Sequence, residues 1–119
     1  MATTVLIVDD HGKFRARARR LLESEGYEVV GEAADGAAAV EAAQRLAPDL
    51  VLLDLQLPDT SGFAVAAELT GADPAPVVVI TSTRDAADFE ELAVRNGARG
   101  FLSKAELSGA GLEALLAKS

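Results

Sequence analysis

The sequence contains no cysteine and no tryptophan, and only 4% of its residues are aromatic. Without cysteine, neither a disulfide framework nor a thiolate metal site can form, and a reducing compartment such as the cytoplasm is expected. The chain has a single histidine, His11, which argues against a zinc site, because zinc prefers histidine and cysteine ligands. No apolar run approaches the roughly 18 residues of a membrane span, and the N-terminus does not resemble a secretion signal. The sequence therefore predicts a cytoplasmic chain without a membrane segment.

The chain has 119 residues, of which 50% are hydrophobic, so it can bury the core of one domain spanning residues 1–119. Its formal net charge of −8 opposes nonspecific binding to nucleic acids, whose phosphates it would repel. Basic residues nevertheless cluster in one segment, which contains Lys13, Arg15, Arg17, Arg19 and Arg20. That cluster is either a solvated helix face or a docking face for an acidic partner.

Five short apolar runs alternate with segments of helical character. The runs are Val5–Val8, Tyr27–Val30, Leu50–Leu53, Val77–Ile80 and Phe101–Leu102. The helical segments are Lys13–Glu25, Asp35–Leu46, Gly62–Leu69, Asp85–Asn96 and Ser108–Lys118. Runs rich in Val, Ile and Leu are typical of strands covered on both faces. The β-α alternation therefore predicts an α/β fold, a doubly wound parallel sheet with helices on both faces.

Polar residues whose side chains could bind a ligand or take part in a reaction follow four of the five predicted strands. They are Asp9, Asp10, Asp54, Thr81, Ser82 and Lys104. In doubly wound sheets, sites form outside the carboxyl ends of the strands. Each of these residues alone is commonly a turn or capping residue. Their joint position at matching strand ends predicts a site of three carboxylates, a hydroxyl and an ammonium.

Three clustered carboxylates repel one another, and a divalent cation relieves that repulsion. Mg²⁺ is favoured because its ligands are hard oxygens. A carboxylate beside such a cation can attack phosphorus as a nucleophile, and phosphoryl transfer depends chiefly on positioning and charge neutralisation. Asp54 is the predicted acceptor, with Lys104 and Thr81 contacting the phosphoryl group. No glycine-rich dinucleotide loop or P-loop is present in the sequence.

Several segments together resemble the receiver domain of two-component response regulators, especially the NarL/FixJ-type branch. They are Val5–His11 with Phe14 and Arg15, Leu50–Pro58, Gly62, Val79–Ser82 and Gly97–Lys104. The resemblance covers about residues 4 to 118. It implies the flavodoxin-like (βα)5 fold, with five parallel strands in the order 2-1-3-4-5.

The resemblance also implies roles. Asp54 would accept a phosphoryl group from a sensor histidine kinase. Mg²⁺ would be held by Asp10, Asp54 and the backbone carbonyl of Gln56, and by Asp9 through water. Thr81 and Phe101 would act as the switch pair that changes the surface of helix 4, strand 5 and helix 5.

Other implications concern partners and departures from the pattern. The kinase is predicted to dock on Lys13, Arg15 and Arg19 of the first helix, and dimerisation on activation is left open. Ala105 follows Lys104, where many receivers have proline. Gln56 and Thr83, which flank the site, are hypothesised to set the rate of phosphoryl hydrolysis.

Two alternatives remain at this point. One is a Mg²⁺-dependent phosphohydrolase with an aspartyl intermediate, which needs a general acid two residues beyond the nucleophilic aspartate. Gln56, which cannot donate a proton in that way, stands there after Asp54, whereas His11 stands two residues beyond Asp9. The other is an interaction module that works without phosphate. The preferred reading is that the chain is a phosphoacceptor and not a turnover enzyme.

Overall fold

The computed structural model describes residues 2–83 and 89–117. Five parallel strands form one sheet in the order β2-β1-β3-β4-β5, which is the order that the resemblance implied. The strands are β1 (Thr4–Val8), β2 (Glu28–Ala33), β3 (Leu50–Asp54), β4 (Val77–Ser82) and β5 (Gly100–Ser103). The helices are α1 (Gly12–Ser24), α2 (Gly36–Leu46), α3 (Gly62–Thr70), α4 (Glu90–Arg95) and α5 (Gly109–Leu116), with a 3-10 turn at Lys104–Glu106.

The helices begin where the sequence places capping side chains. The Asp35 carboxylate accepts a hydrogen bond from the Ala38 amide at 2.7 Å, and the Ser108 hydroxyl accepts one from Gly111 at 3.0 Å. Both residues are the predicted N-caps of α2 and α5. The predicted helix over 85–96 is described only from Glu90 to Arg95, because residues 84–88 lie outside the described part of the chain. Lys118, the predicted end of α5, also lies outside it.

The aliphatic strands divide the core into two clusters by alternation of side chains. In β1, Val5 and Ile7 pack into one cluster with residues of α1 and α5. Leu6 and Val8 pack into the other, with residues of α2, α3 and α4. Strand β1 therefore buries both of its faces, as β3 does along its whole length, which explains why these two sequences carry so little polar alternation. The edge strand β2 is only partly buried and exposes Glu28 and Glu32.

No helix among the described residues has the length and hydropathy that crossing a bilayer requires. The feature of the fold that matters most for function is the register between β3 and β4. It pairs Asp54 with Thr81 at the carboxyl ends of both strands, so the polar residues of neighbouring strands meet at one edge.

Candidate functional site

Asp9 lies directly after β1 and is completely buried. Its Oδ1 accepts a hydrogen bond from the His11 amide at 2.8 Å and lies 3.1 Å from His11 Nδ1. Its Oδ2 lies 2.5 Å from the Lys104 ammonium. Asp10 is exposed beside it, and its Oδ1 also lies 3.1 Å from His11 Nδ1. The acidic pair thus divides into one buried and one accessible carboxylate.

Asp54 is the last residue of β3 and is 4% exposed. Burial is the largest cause that raises the pKa of its carboxyl to about 6, and the negative charge of Asp9 adds to it. Lys104 and a hydrogen bond from the Gln56 amide oppose the rise in pKa. Asp54 is therefore a carboxylate whose charge is poorly solvated, and which gains from an added cation.

Lys104 follows β5 and brings the one buried ammonium of the described chain to these carboxylates. Its Nζ is 2.5 Å from Asp9 Oδ2 and 3.5 Å from Asp54 Oδ1. It also lies 4.6 Å from the ring centroid of Phe14 on α1. The predicted neighbourhood of Lys104 and Asp54 is present, and the closer partner of the ammonium is Asp9.

The loop between β3 and α3, residues 55–61, is held by hydrogen bonds at Gly62 and at Asp59. The Gly62 amide donates to the Leu55 carbonyl at 2.6 Å, and a Cβ on Gly62 would come within 2.8 Å of Leu55 Cα. Asp59 accepts hydrogen bonds from the amides of Gly36 at 2.8 Å and Ala37 at 3.0 Å, which lower the pKa of its carboxyl. This loop therefore connects Asp54 to the first turn of α2. The capping role of Asp59 was missed by sequence reasoning, because its partners are far away in the chain.

Four side chains can offer a ligand atom to one cation. Asp9, Asp10, His11 and Asp54 each place such an atom within 4.8 Å of the others. Asp9 Oδ2 is buried and accepts no hydrogen bond of acceptable geometry within the described residues, although the Lys104 ammonium lies close to it. A buried oxygen with an unfilled lone pair, together with three carboxylates, fits a hard divalent cation such as Mg²⁺.

Two further residues, His11 and Gln56, lie beside the carboxylates. His11 was not predicted to belong to the cluster, although its position immediately after the acidic pair was a usable signal. Its side chain is 69% exposed. Gln56 is exposed, follows the strand as expected and forms an isolated bridge with Ser61. The role of its carbonyl as a metal ligand stays a prediction.

The predicted switch residues are both buried. Thr81 is 1% exposed at the end of β4, and its carbonyl accepts from the Leu55 amide at 2.8 Å. Phe101 of β5 stacks on Phe89, with 6.0 Å between ring centroids, and Phe89 in turn contacts Phe63 at 6.4 Å. Phe89 and Phe63 were not singled out from the sequence. They connect the predicted switch aromatic to the segments that begin α4 and α3.

The basic residues of α1 do not share one environment. Glu32 of β2 pairs with Arg15 Nε and with Arg19 Nη2, each at 2.9 Å. Arg15 also donates to the Asp9 carbonyl at 2.6 Å. Lys13 is exposed and forms no ion pair within the described residues. Of the three predicted docking residues, Lys13 alone is therefore unneutralised.

Residues 5–116 match the family described as Response regulator receiver domain. The chain is 42% identical over 113 residues to a protein-glutamate methylesterase/protein-glutamine glutaminase of Alkalilimnicola ehrlichii, covering 92% of this chain and 29% of that protein. It is 41% identical over 100 residues to the transcriptional regulatory protein PdtaR of Mycobacterium tuberculosis, covering 84% of this chain and 48% of the relative. The chain thus spans half or less of the length of these relatives.

Among solved structures, the signal receiver domain of the response regulator NarL from Mycobacterium tuberculosis is similar over 98% of both chains. The TM-score is 0.85 and the sequence identity is 35%. This similarity agrees with the flavodoxin-like topology observed here and with the resemblance to the NarL/FixJ-type branch.

Proposed function

We propose that this chain, which belongs to the response regulator receiver domain family of two-component systems, is a phosphorylation-activated switch in which Asp54 accepts the phosphoryl group. The observation that carries the proposal is the buried pair of Asp54 and Lys104, whose charged atoms are 3.5 Å apart beside the acidic pair. Receiver domains typically use Mg²⁺ and interact with histidine kinases.

Asp54 acts as the nucleophile. One carboxylate oxygen forms a bond to phosphorus while the bond from phosphorus to the donor nitrogen of a phosphohistidine breaks. The electron pair of that bond leaves with the donor imidazole. The raised pKa of Asp54, about 6, leaves the carboxylate ionised at neutral pH, so no base is needed.

Lys104 neutralises charge at the acceptor. Its ammonium contacts Asp9 in the resting protein and is close enough to Asp54 to move onto a phosphoryl oxygen. Asp10, Asp54, the Gln56 carbonyl and Asp9 through water would hold Mg²⁺, which when bound supplies positive charge to the phosphoryl oxygens. The burial of Asp9 beside Asp54 supports this assignment, because a cation would offset the repulsion between the two buried carboxylates.

Thr81 and Phe101 transmit the change. The register of β3 and β4 brings Thr81 beside Asp54, where its hydroxyl can donate to a phosphoryl oxygen. Phe101 responds through its packing against Phe89 at the beginning of α4. The altered surface is that of α4, β5 and α5. Relatives of this chain include both a methylesterase and a transcriptional regulator, so receiver surfaces of this kind occur beside different effector activities.

Phosphoacceptor function is tested by intact mass after incubation with Mg²⁺ and acetyl phosphate. We expect the wild type to gain one phosphoryl group, and Asp54→Asn to gain none. Asp49→Asn is the matched control, because Asp49 precedes the same strand at its other end. Phosphorylation of Asp54→Asn would exclude Asp54 as the acceptor. Steady release of phosphate from an aryl phosphate would instead favour the phosphohydrolase. Failure with both acetyl phosphate and a histidine kinase would favour the phosphate-independent module.

Kinase docking is tested by charge reversal on α1. Lys13→Glu should slow phosphotransfer from the kinase and leave the reaction with acetyl phosphate unchanged, because Lys13 is exposed and unpaired within the described residues. Arg19→Glu should slow phosphotransfer from the kinase less than Lys13→Glu does, since Arg19 already pairs with Glu32 at 2.9 Å. Equal slowing with both donors would contradict a docking role for Lys13.

The flanking residues are proposed to set the lifetime of the phosphorylated state. Thr83 is exposed next to Lys104 and Phe14, and Gln56 is exposed beside Asp54. Both can therefore steer water at the acyl phosphate. An unchanged dephosphorylation rate in Gln56→Ala and Thr83→Ala would contradict this hypothesis.

A further inference from the structure

The backbone of Lys104 is weakly held by its own segment. It begins the 3-10 turn Lys104–Glu106, and the Leu107 amide reaches its carbonyl at a long 3.4 Å. The Ser103 hydroxyl accepts from the Ala105 amide at 3.3 Å. Ala105 supplies none of the rigidity that proline would give at this position. The segment that carries the ammonium therefore needs support from elsewhere.

That support comes from α1. Arg17 Nη2 donates to the Lys104 carbonyl at 3.0 Å, across 87 positions of the chain. Phe14, one helical turn earlier, lies with its ring centroid 4.6 Å from Lys104 Nζ. Residues three apart in a helix share a face, so one face of α1 contacts both ends of the same lysine.

The two contacts are themselves coupled. The Arg17 guanidinium carbon lies 5.9 Å from the Phe14 ring centroid, so the ring is within cation-π range of both cations. Helix α1 is anchored to the rest of the domain in two ways. Its residues Ala18 and Leu22 are buried in the core, and Glu32 of β2 pairs with Arg15 and Arg19. Arg17, unlike Arg15 and Arg19, forms no ion pair with a carboxylate of the described residues.

We infer that Arg17 and Phe14 are positioning residues that hold Lys104 for phosphoryl transfer to Asp54. The inference rests on the proposed function of Asp54. Arg17 fixes the lysine backbone, and Phe14 limits where the ammonium can lie. Nζ can then move between Asp9, at 2.5 Å, and the phosphoryl oxygens on Asp54 without the segment shifting. Small displacements of a charge-neutralising group have large effects on rate.

The test uses acetyl phosphate as donor, so that kinase docking plays no part. Arg17→Ala should lower the initial rate of mass gain about tenfold. Arg20→Ala is the matched control, since Arg20 is an exposed arginine of the same helix without a bond or ion pair in the described residues. Its rate should equal that of the wild type. Arg17→Gln, which keeps a donor for the carbonyl and removes the charge, should restore part of the rate. Phe14→Leu should have a smaller effect than Arg17→Ala.

A double-mutant cycle separates positioning from a general structural role. In the Lys104→Ala background, Arg17→Ala should cause no further loss of rate, because its effect passes through Lys104. A loss of the same size in both backgrounds, or a wild-type rate for Arg17→Ala, would overturn the inference. Thermal unfolding of each variant accompanies the rates, and Arg17→Gln replaces Arg17→Ala if the latter does not fold. Were the wild type itself to gain no phosphoryl group, the proposed function would be the part that fails.

Discussion

Strand β3 has an aspartate at each end, and the two have opposite environments. Asp49, just before the strand, is exposed, and its carboxylate accepts hydrogen bonds from the Thr4 amide at 2.9 Å and the Thr4 hydroxyl at 3.1 Å. Asp54, at the far end, is buried beside Asp9 and Lys104, with its pKa raised to about 6. The same residue type thus ties two strands together at one edge and forms a reactive group at the other.

The difference extends to the whole sheet. Six polar or charged residues are buried in the described chain, and all of them lie at the carboxyl edge: Asp9, Asp54, Thr81, Ser82, Ser103 and Lys104. Burying such groups costs free energy unless they are paired. Their concentration at one edge places the buried polar groups beside Asp54, whereas the carboxylate at the opposite end of β3, Asp49, is exposed.

The largest expected effect is on the pH dependence of stability. The pKa of Asp54 rises from 3.8 to about 6 on folding. This shift means that an ionised Asp54 destabilises the folded state by about 3 kcal/mol. Because the folded state holds its proton more tightly, the free energy of unfolding falls as pH rises from about 4 to about 6. Asp54→Asn should therefore be more stable than the wild type by up to about 3 kcal/mol at pH 8.

This prediction is checked by urea unfolding followed by circular dichroism, in buffer containing a chelator. The gain in stability should shrink toward zero near pH 4, where Asp54 is protonated in both states. A gain that grows on acidification would contradict the sign. Asp49→Asn should show no such gain at pH 8.

The second effect concerns Gly62, which packs against the backbone of Asp54 and Leu55. Gly62→Ala would place a Cβ within 2.8 Å of Leu55 Cα, and overpacking of this kind costs about 1–3 kcal/mol. Gly71→Ala, at the other end of α3, meets its nearest atom at 3.4 Å and should be nearly neutral. Chemical denaturation compares the two. Equal stability would show that the loop yields, and unaltered phosphorylation of Gly62→Ala would show that its position is not critical.

The third effect concerns the cation. Asp9→Asn removes a charge from the carboxylate cluster that includes Asp10 and Asp54. We expect its affinity for Mg²⁺ to fall about tenfold, as for other outer ligands of metal sites. Isothermal titration calorimetry measures the affinity, with Asp49→Asn as the variant that should bind as the wild type does. Equal affinity in Asp9→Asn would remove Asp9 from the metal site.

The smallest effect is at the amino edge. Asp49→Asn keeps an acceptor for Thr4 and loses only its charge, so the free energy of unfolding should fall by about 0.5–1 kcal/mol. Phosphorylation by acetyl phosphate should not change. A loss of phosphorylation would mean that the two ends of β3 are not as independent as their environments indicate.

Most of the secondary structure was predicted from the pattern of apolar and capping residues in the sequence. Aliphatic runs without alternation predicted buried parallel strands, and Asp35 and Ser108 marked two helix starts correctly. The gathering of Asp9, Asp54 and Lys104 followed from the rule that parallel strands present their carboxyl ends at one edge. The resemblance to receiver domains supplied the strand order, which the sheet confirms.

Other features could not be predicted, because they depend on contacts between distant segments. From the sequence, the same docking role was predicted for Lys13, Arg15 and Arg19, yet Glu32 pairs with the last two. Likewise, Phe89 stacks on Phe101 of β5. None of these pairings has a local sequence signal that distinguishes it from ordinary helix or loop chemistry.

The strands, the edge at which the polar residues meet, and the family to which the chain belongs could all be read from the amino-acid sequence. These follow from periodicity and from motifs that are local in the chain. Which charged groups are in contact became visible in the folded chain: Lys104 lies nearer Asp9 than Asp54, and Arg17 donates to the Lys104 carbonyl. The physical reason is that burial and Coulomb energy depend on distances of a few ångströms between segments far apart in sequence.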